Sequence, residues 1–176
     1  MIDLINIASD LPHNKFLDLY QKALKENQRG IEAIAISSYD KSSNEVESRF
    51  VNLKYITGNE WIFFSNYLSP KAIQFESHDQ ISALFHWGAI NSQVRLKAKI
   101  NKTSAEFSDN HFQSRTKEKN ALAISSNQSE QIDSFDFVKD NFYKTLASMD
   151  SETKRPEHWG GYSFTPYYFE FWEGHE

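Results

Sequence analysis

Apolar residues recur at helical spacing between Asn14 and Lys25. Phe16, Leu19, Tyr20, Ala23 and Leu24 share one side, and Lys15, Asp18, Gln21, Lys22 and Lys25 take the other. Pro12 just upstream suits a helix entry, so an amphipathic helix lying on an apolar surface is predicted. After Gly30 the period shortens to two. Strands are predicted over Ile31–Ser37, Val46–Ile56, Trp61–Ser65 and Ile81–Trp87, with turns at Asp40–Asn44, Gly58-Asn59 and Gly88. The fifth strand has the clearest pattern: Ile90, Ser92, Val94, Leu96, Ala98 and Ile100 alternate with Asn91, Gln93, Arg95, Lys97 and Lys99. Strict alternation means an antiparallel strand with one buried and one polar face. A last strand covers Tyr162–Trp172, after Gly160-Gly161.

Three more helices carry start signals. Ser69-Pro70-Lys71 offers an N-cap serine with proline at the first helical position. Thr103-Ser-Ala-Glu106 fits a capping box ahead of Phe107. Ser134 precedes Phe135, Val138, Phe142, Leu146 and Met149 at helical spacing. Ala123–Glu130 reads as a polar linker too short to separate domains. The elements predict a mainly β fold with added helices: about six antiparallel strands in a small barrel, in one domain spanning residues 1–176.

Composition narrows the function classes. A chain of 176 residues, 39% hydrophobic and 24% charged, is neither disordered nor fibrous. No apolar run approaches the ~20 residues of a membrane helix. The opening MIDLINIASD, with Asp3 and Asp10 and no basic start, does not read as a secretory signal, which favours the cytoplasm. The absence of cysteine excludes thiolate chemistry, and a net charge of −5 argues against a nucleic-acid partner. Aromatic residues make up 15% of the chain, enough for a filled core, a stacking site for a flat ligand, or both.

No glycine-rich nucleotide motif and no nucleophile elbow is present. The six His are scattered, with His78 and His86 in different elements, so no metal site is expected. Two places could hold an anion. Arg49-Phe-Val-Asn-Leu-Lys54 puts two cations in one strand, on opposite faces unless a bulge intervenes. Ser69-Pro70-Lys71 opens a helix whose free N–H groups and dipole favour a phosphate, with Lys71 adding charge. Solvated surface charge and an ordinary helix cap are the alternatives.

The order Arg49-Phe-Val-Asn-Leu-Lys54, Phe63-Phe-Ser-Asn66, Ser69-Pro-Lys71, Ile81-Ser-Ala-Leu-Phe-His-Trp87, Gln93-Val94, Phe112-Gln-Ser-Arg115, Gln128-Ser129, Trp159-Gly-Gly161 and Phe169-Glu-Phe-Trp172 resembles the pyridoxamine 5′-phosphate oxidases. The resemblance runs from about Leu17 to the end of the chain. It implies an FMN-binding split β-barrel, a homodimer with FMN at the subunit interface, and a small phosphorylated substrate. It further implies oxidation of pyridoxamine or pyridoxine phosphate to pyridoxal phosphate with oxygen as acceptor.

By this resemblance Arg49 contacts FMN, and the backbone through Phe50, Val51 and Leu53 runs beside the flavin. Lys54 stands between FMN and the substrate phosphate. Phe64-Ser65 replaces an aromatic-threonine pair whose hydroxyl serves the FMN phosphate, and Lys71 matches a phosphate-binding lysine. Gln93 matches a glutamine bonded to the flavin, Gln128-Ser129 a pair reaching FMN from the partner subunit, and Trp172 a tryptophan near the cofactor. Arg115 matches the arginine that holds the substrate phosphate. Pro70 stands where the family has an FMN-contacting arginine, His111 where a substrate-binding tyrosine is usual, and Lys119 where a serine is usual. No catalytic residue is implied. The family's Arg-x-His substrate cover and a further FMN-contacting arginine would lie beyond Glu176. The implied expectation is firm FMN binding with weak turnover of pyridoxamine phosphate. The alternative is a split-barrel flavoprotein with another redox substrate, or a flavin-binding role without this activity.

Overall fold

The computed structural model describes Met1–His175, and these residues fall into two compact units. The first comprises Met1–Phe64, Gln74–Asn101 and the segment from Tyr162 onward; the second comprises Ser65–Ile73 and Lys102–Gly161.

The first unit carries a seven-stranded sheet: β1 (Asp3–Ile5), β2 (Ala33–Asp40), β3 (Glu45–Thr57), β4 (Glu60–Asn66), β5 (Gln80–Trp87), β6 (Ser92–Lys102) and β7 (Trp159–Glu173). Their order is β1-β3-β2-β5-β6-β7-β4, and β4 also pairs with β3. Six strands therefore form a ring, with β1 added in parallel at its margin. The expectation of about six antiparallel strands missed β1. At three residues, with none of them buried, that strand carries no periodic signal.

Alternation sets the faces. Ser92, Val94, Leu96, Ala98 and Ile100 of β6 are buried as predicted. Ile90 belongs instead to a single 3-10 turn, Gly88–Ile90, closed by Asn91 in the left-handed region at φ 46°. Helix α1 (Leu11–Lys25) begins earlier than its periodicity predicts, because Asp10 caps it by accepting from the His13 N–H. Its buried face packs aromatic on aromatic: the Phe16 ring lies 4.5 Å from Trp61, 5.5 Å from Phe85 and 5.6 Å from Trp87. All four rings are buried, so much of the aromatic surplus fills this core.

Helix α2 (Pro70–Ser77) starts at the proline, as expected. The second unit is built on α3 (Ala105–Ser114), α4 (Lys117–Ser125) and α5 (Phe135–Ser148). Ser104, Thr116 and Ser134 cap them, each side chain accepting from a backbone N–H three residues on. The capping box predicted on Thr103 is displaced by one residue. Ser104 takes the role, while Thr103 hydrogen-bonds instead to Ser108 Oγ at 2.9 Å. Helix α4 was not foreseen, and it absorbs Ala123–Ser125 of the predicted linker. Between α3 and α4, Arg115 is extended at φ −82° and ψ 159°, which breaks one helix before the next. Asn120 Nδ2 donates to the Phe112 carbonyl at 2.8 Å and ties the two helices across that break.

Candidate cofactor and substrate site

In the second unit, the turn after β4 brings Ser65 and Ser69 around Lys71. The lysine is 6% exposed, and its Nζ donates to Ser65 Oγ at 3.1 Å and Ser69 Oγ at 3.0 Å. Ser69 Oγ in turn donates to the Asn66 carbonyl at 2.7 Å, so this hydroxyl fixes the turn rather than capping a helical N–H. Ser65 Oγ also donates to Gln128 Oε1 at 3.4 Å, and the Asn66 N–H reaches the same oxygen at 3.4 Å. The predicted residues Ser65, Lys71 and Gln128 thus form one connected cluster. Ser129, next to Gln128, has φ 72°, an uncommon left-handed position for a residue with a Cβ.

Beside this cluster lies a cavity of about 210 Å³ lined by Asn66, Arg115, Leu122, Ala123, Ser126, Gln128 and Trp159. Arg115, singled out as a phosphate ligand, lies over the Trp159 ring at 4.4 Å from the centroid. Its Nη2 donates to the Lys119 carbonyl at 2.8 Å, while Nη1 is buried and has no acceptor. Burial pushes the guanidinium below the ordinary arginine value, which favours a counter-anion. The predicted substrate residue His111 stacks on the same Trp159 ring, at 6.2 Å and 12°. Trp159 and Asn66 were not singled out individually as site residues. Their only sequence signal was membership of the Trp159-Gly-Gly161 and Phe63-Phe-Ser-Asn66 motifs.

In the first unit, Arg49 sits in a closed circuit. Its Nη1 donates to Ser38 Oγ at 2.6 Å, Ser38 donates to Gln74 Oε1 at 2.5 Å, and that oxygen also accepts from Arg49 Nη2 at 3.1 Å. Glu47 accepts from Nη2 at 2.8 Å. Burial lowers the Arg49 pKa, with Glu47 opposing the shift. The circuit fixes the Gln74 amide with its oxygen toward Arg49. Nε2 is then buried and turned toward Asp40, whose carboxyl is held below its ordinary value first by Ser42 and also by Gln74.

Lys54 lies where pairing passes from Leu53↔Phe63 to Tyr55↔Ile62, so the bulge that one shared anion site would require falls on Lys54 itself. Leu53 is fully buried, and only its backbone could meet a ligand, whereas Phe50 is 75% exposed. Val51 pairs with Ile34 and Gln93 with His86. Phe64 packs edge-on against Tyr55 at 6.2 Å. Trp172 is half exposed between Glu170, paired with Arg95, and Glu173, paired with Lys15. Arg49, Lys54, Gln93 and Trp172 all belong to the first unit. Among the described residues no helix is long and apolar enough to cross a membrane.

Within the second unit, the hydroxyl-lined Lys71 fits a phosphate of the kind FMN carries, and Arg115 Nη1, a buried donor without an acceptor, fits a further anionic group. No family model matches the chain. A pyridoxine/pyridoxamine 5′-phosphate oxidase of Hydrogenovibrio crunogenus is 32% identical over 163 residues, covering 93% of this chain and 75% of that protein. The chain belongs to the pyridoxine/pyridoxamine 5′-phosphate oxidase family. The family member from Polynucleobacter asymbioticus is 33% identical over 170 residues, 94% of this chain and 80% of its own length. Among solved structures, PhzG from Burkholderia lata, in complex with tetrahydrophenazine-1-carboxylic acid, superposes with a TM-score of 0.84 at 18% identity, covering 96% and 87% of the two chains. A pyridoxamine 5′-phosphate oxidase-related, FMN binding protein from Nostoc punctiforme superposes with a TM-score of 0.74 at 8% identity, covering 94% and 85%. Both likenesses establish the fold of this oxidase family.

Proposed function

We propose that the chain is an FMN-dependent oxidase of pyridoxamine or pyridoxine 5′-phosphate, working as a homodimer with FMN at the subunit interface. One observation carries the reading: the buried Lys71 donates to the Ser65 and Ser69 hydroxyls, beside a cavity lined by Arg115 and Trp159. Membership of the oxidase family supports it.

In this reading Lys71, Ser65 and Arg49 hold the FMN phosphate, where charge-assisted bonds contribute most. The backbone from Phe50 to Leu53, with Lys54, Phe64, Gln93 and Trp172, accompanies the flavin, and Gln128-Ser129 approach it from the partner subunit. The 3.4 Å contacts that Gln128 makes to Ser65 and Asn66 in the single chain are long, and easily exchanged for contacts to a ligand. Bound FMN supplies the two-electron acceptor for the substrate carbon that bears the amine or hydroxyl, with dioxygen as the final acceptor.

The chain's own work is orientation. Arg115 and Lys54 anchor the substrate phosphate, with His111 beside Arg115, which fixes the ring's distance from the flavin. Anchoring of this kind is made in the ground state as well, and lowers KM more than it raises kcat. His111 and Lys119, standing where tyrosine and serine are usual, favour a second reading in which a differently charged substrate is oxidised. The test is turnover: the FMN-loaded protein should convert pyridoxamine phosphate to pyridoxal phosphate with peroxide appearing in step. Bound FMN without either product would favour the second reading.

A further inference from the structure

Arg115 is held in a way that leaves one edge of its guanidinium unused. The face lies over the Trp159 ring at 4.4 Å, and Nη2 is committed to the Lys119 carbonyl. Nη1 is buried without an acceptor, and Arg115 is one of the residues that line the cavity. Stacking uses the face of a guanidinium and spares its N–H groups, so a stacked arginine remains able to grip an anion along its edge.

Trp159 is itself locked. Its carbonyl accepts from Arg155 Nη1 at 2.5 Å, and Arg155 Nε donates to Asp109 of α3 at 2.6 Å. Phe112 of the same helix packs edge-on against the indole at 5.9 Å. The helix that ends at Arg115 therefore also fixes the ring on which Arg115 rests. We propose that Trp159 is a positioning residue for substrate recognition: its indole holds the Arg115 guanidinium edge-on to the cavity and so sets the preference for a ligand bearing a phosphate.

This rests on the reading that Arg115 binds the substrate phosphate, and the experiment separates the two. The FMN-loaded protein, its flavin reduced beforehand in the absence of oxygen so that no turnover occurs, is titrated at equilibrium with pyridoxamine 5′-phosphate and with pyridoxamine, and the ratio of the two affinities is the readout. A general loss of packing would weaken both ligands together and leave the ratio alone. Arg115→Ala should collapse the ratio. Trp159→Leu should lower it by about 2- to 30-fold, the range spanned by a cation–π contact, and Trp159→Phe by less, because a smaller ring still offers a face. In the Arg115→Ala background, Trp159→Phe should leave the ratio where Arg115→Ala put it.

An unchanged ratio in Arg115→Ala overturns the phosphate reading of Arg115, and this inference with it. A collapsed ratio in Arg115→Ala beside a wild-type ratio in both Trp159 variants overturns the positioning role alone. So does a Trp159→Phe effect of equal size with and without Arg115. Because Trp159→Phe keeps an aromatic ring in the packed site, the test does not depend on the folding of Trp159→Leu.

Discussion

Lys71 Nζ donates to Ser65 Oγ at 3.1 Å from a position only 6% exposed. A buried ammonium bonded to hydroxyls is well matched to phosphate oxygens, which accept the same bonds with added charge. Charged hydrogen bonds contribute ~1.5–3 kcal/mol, so Lys71→Ala should weaken FMN by about 10- to 150-fold, and Ser65→Ala by less. Fluorescence titration with FMN checks both, and unchanged affinity in Lys71→Ala would place the phosphate elsewhere.

The Arg49–Ser38–Gln74 circuit predicts a stability effect that can be measured without any ligand. Gln74 is 2% exposed, and its Oε1 accepts from two donors. Gln74→Leu keeps the bulk and removes that acceptor, stranding an Arg49 N–H and the Ser38 hydroxyl. The cost should be about 1–3 kcal/mol, seen as a lower urea midpoint at unchanged slope. A variant as stable as the parent would show that the circuit carries no energy.

Gly160 is required by space rather than by backbone angle. A Cβ there would lie 2.2 Å from Tyr67 Oη and 2.7 Å from its Cζ. The Tyr67 hydroxyl donates to the Gly161 carbonyl at 3.1 Å, so the ring cannot retreat without losing that bond. Gly160→Ala should destabilise by about 1–3 kcal/mol, as overpacking does. Thermal unfolding measures it, and an unchanged Tm would mean the ring moves freely.

Acid should act at the start of α1. The His13 backbone N–H bonded to Asp10, and then the His13 ring, hold the Asp10 carboxyl below its ordinary value of 3.8. A depressed pKa favours the folded state while the group is ionised. The contribution is therefore complete above about pH 3.8 and is lost as pH falls through the lower folded value. Asp10→Asn keeps an acceptor for the cap but does not titrate, so its stability should fall less steeply below that pH. Parallel acid profiles for the two proteins would contradict this account.

What was legible in the sequence followed from periodicity. The faces of α1 and β6 could be assigned because their apolar residues repeat at 3.6 and 2; a bulge was named only as what one site shared by Arg49 and Lys54 would need, and its position at Lys54 was not read. Helix α4 escaped because its buried side is Asn120, Ala121 and Ala123, too small and mixed to mark a face. β1 escaped because three exposed residues show no period. Lys71 was legible as a cation at a helix start, and Arg115 only through the resemblance to the oxidase family. The support beneath Arg115 was not: Trp159 acts through a contact between elements distant in sequence, which no local pattern records.

The central claim is that this chain's site hands two electrons from pyridoxamine phosphate to bound FMN. The most direct measurement mixes FMN-loaded protein with pyridoxamine 5′-phosphate in the absence of oxygen and follows the visible flavin band. The account predicts that the band bleaches once, with one pyridoxal phosphate formed per flavin, and returns when oxygen is admitted. A band that stays unchanged under saturating pyridoxamine phosphate, in a protein that a strong chemical reductant bleaches fully, would contradict it.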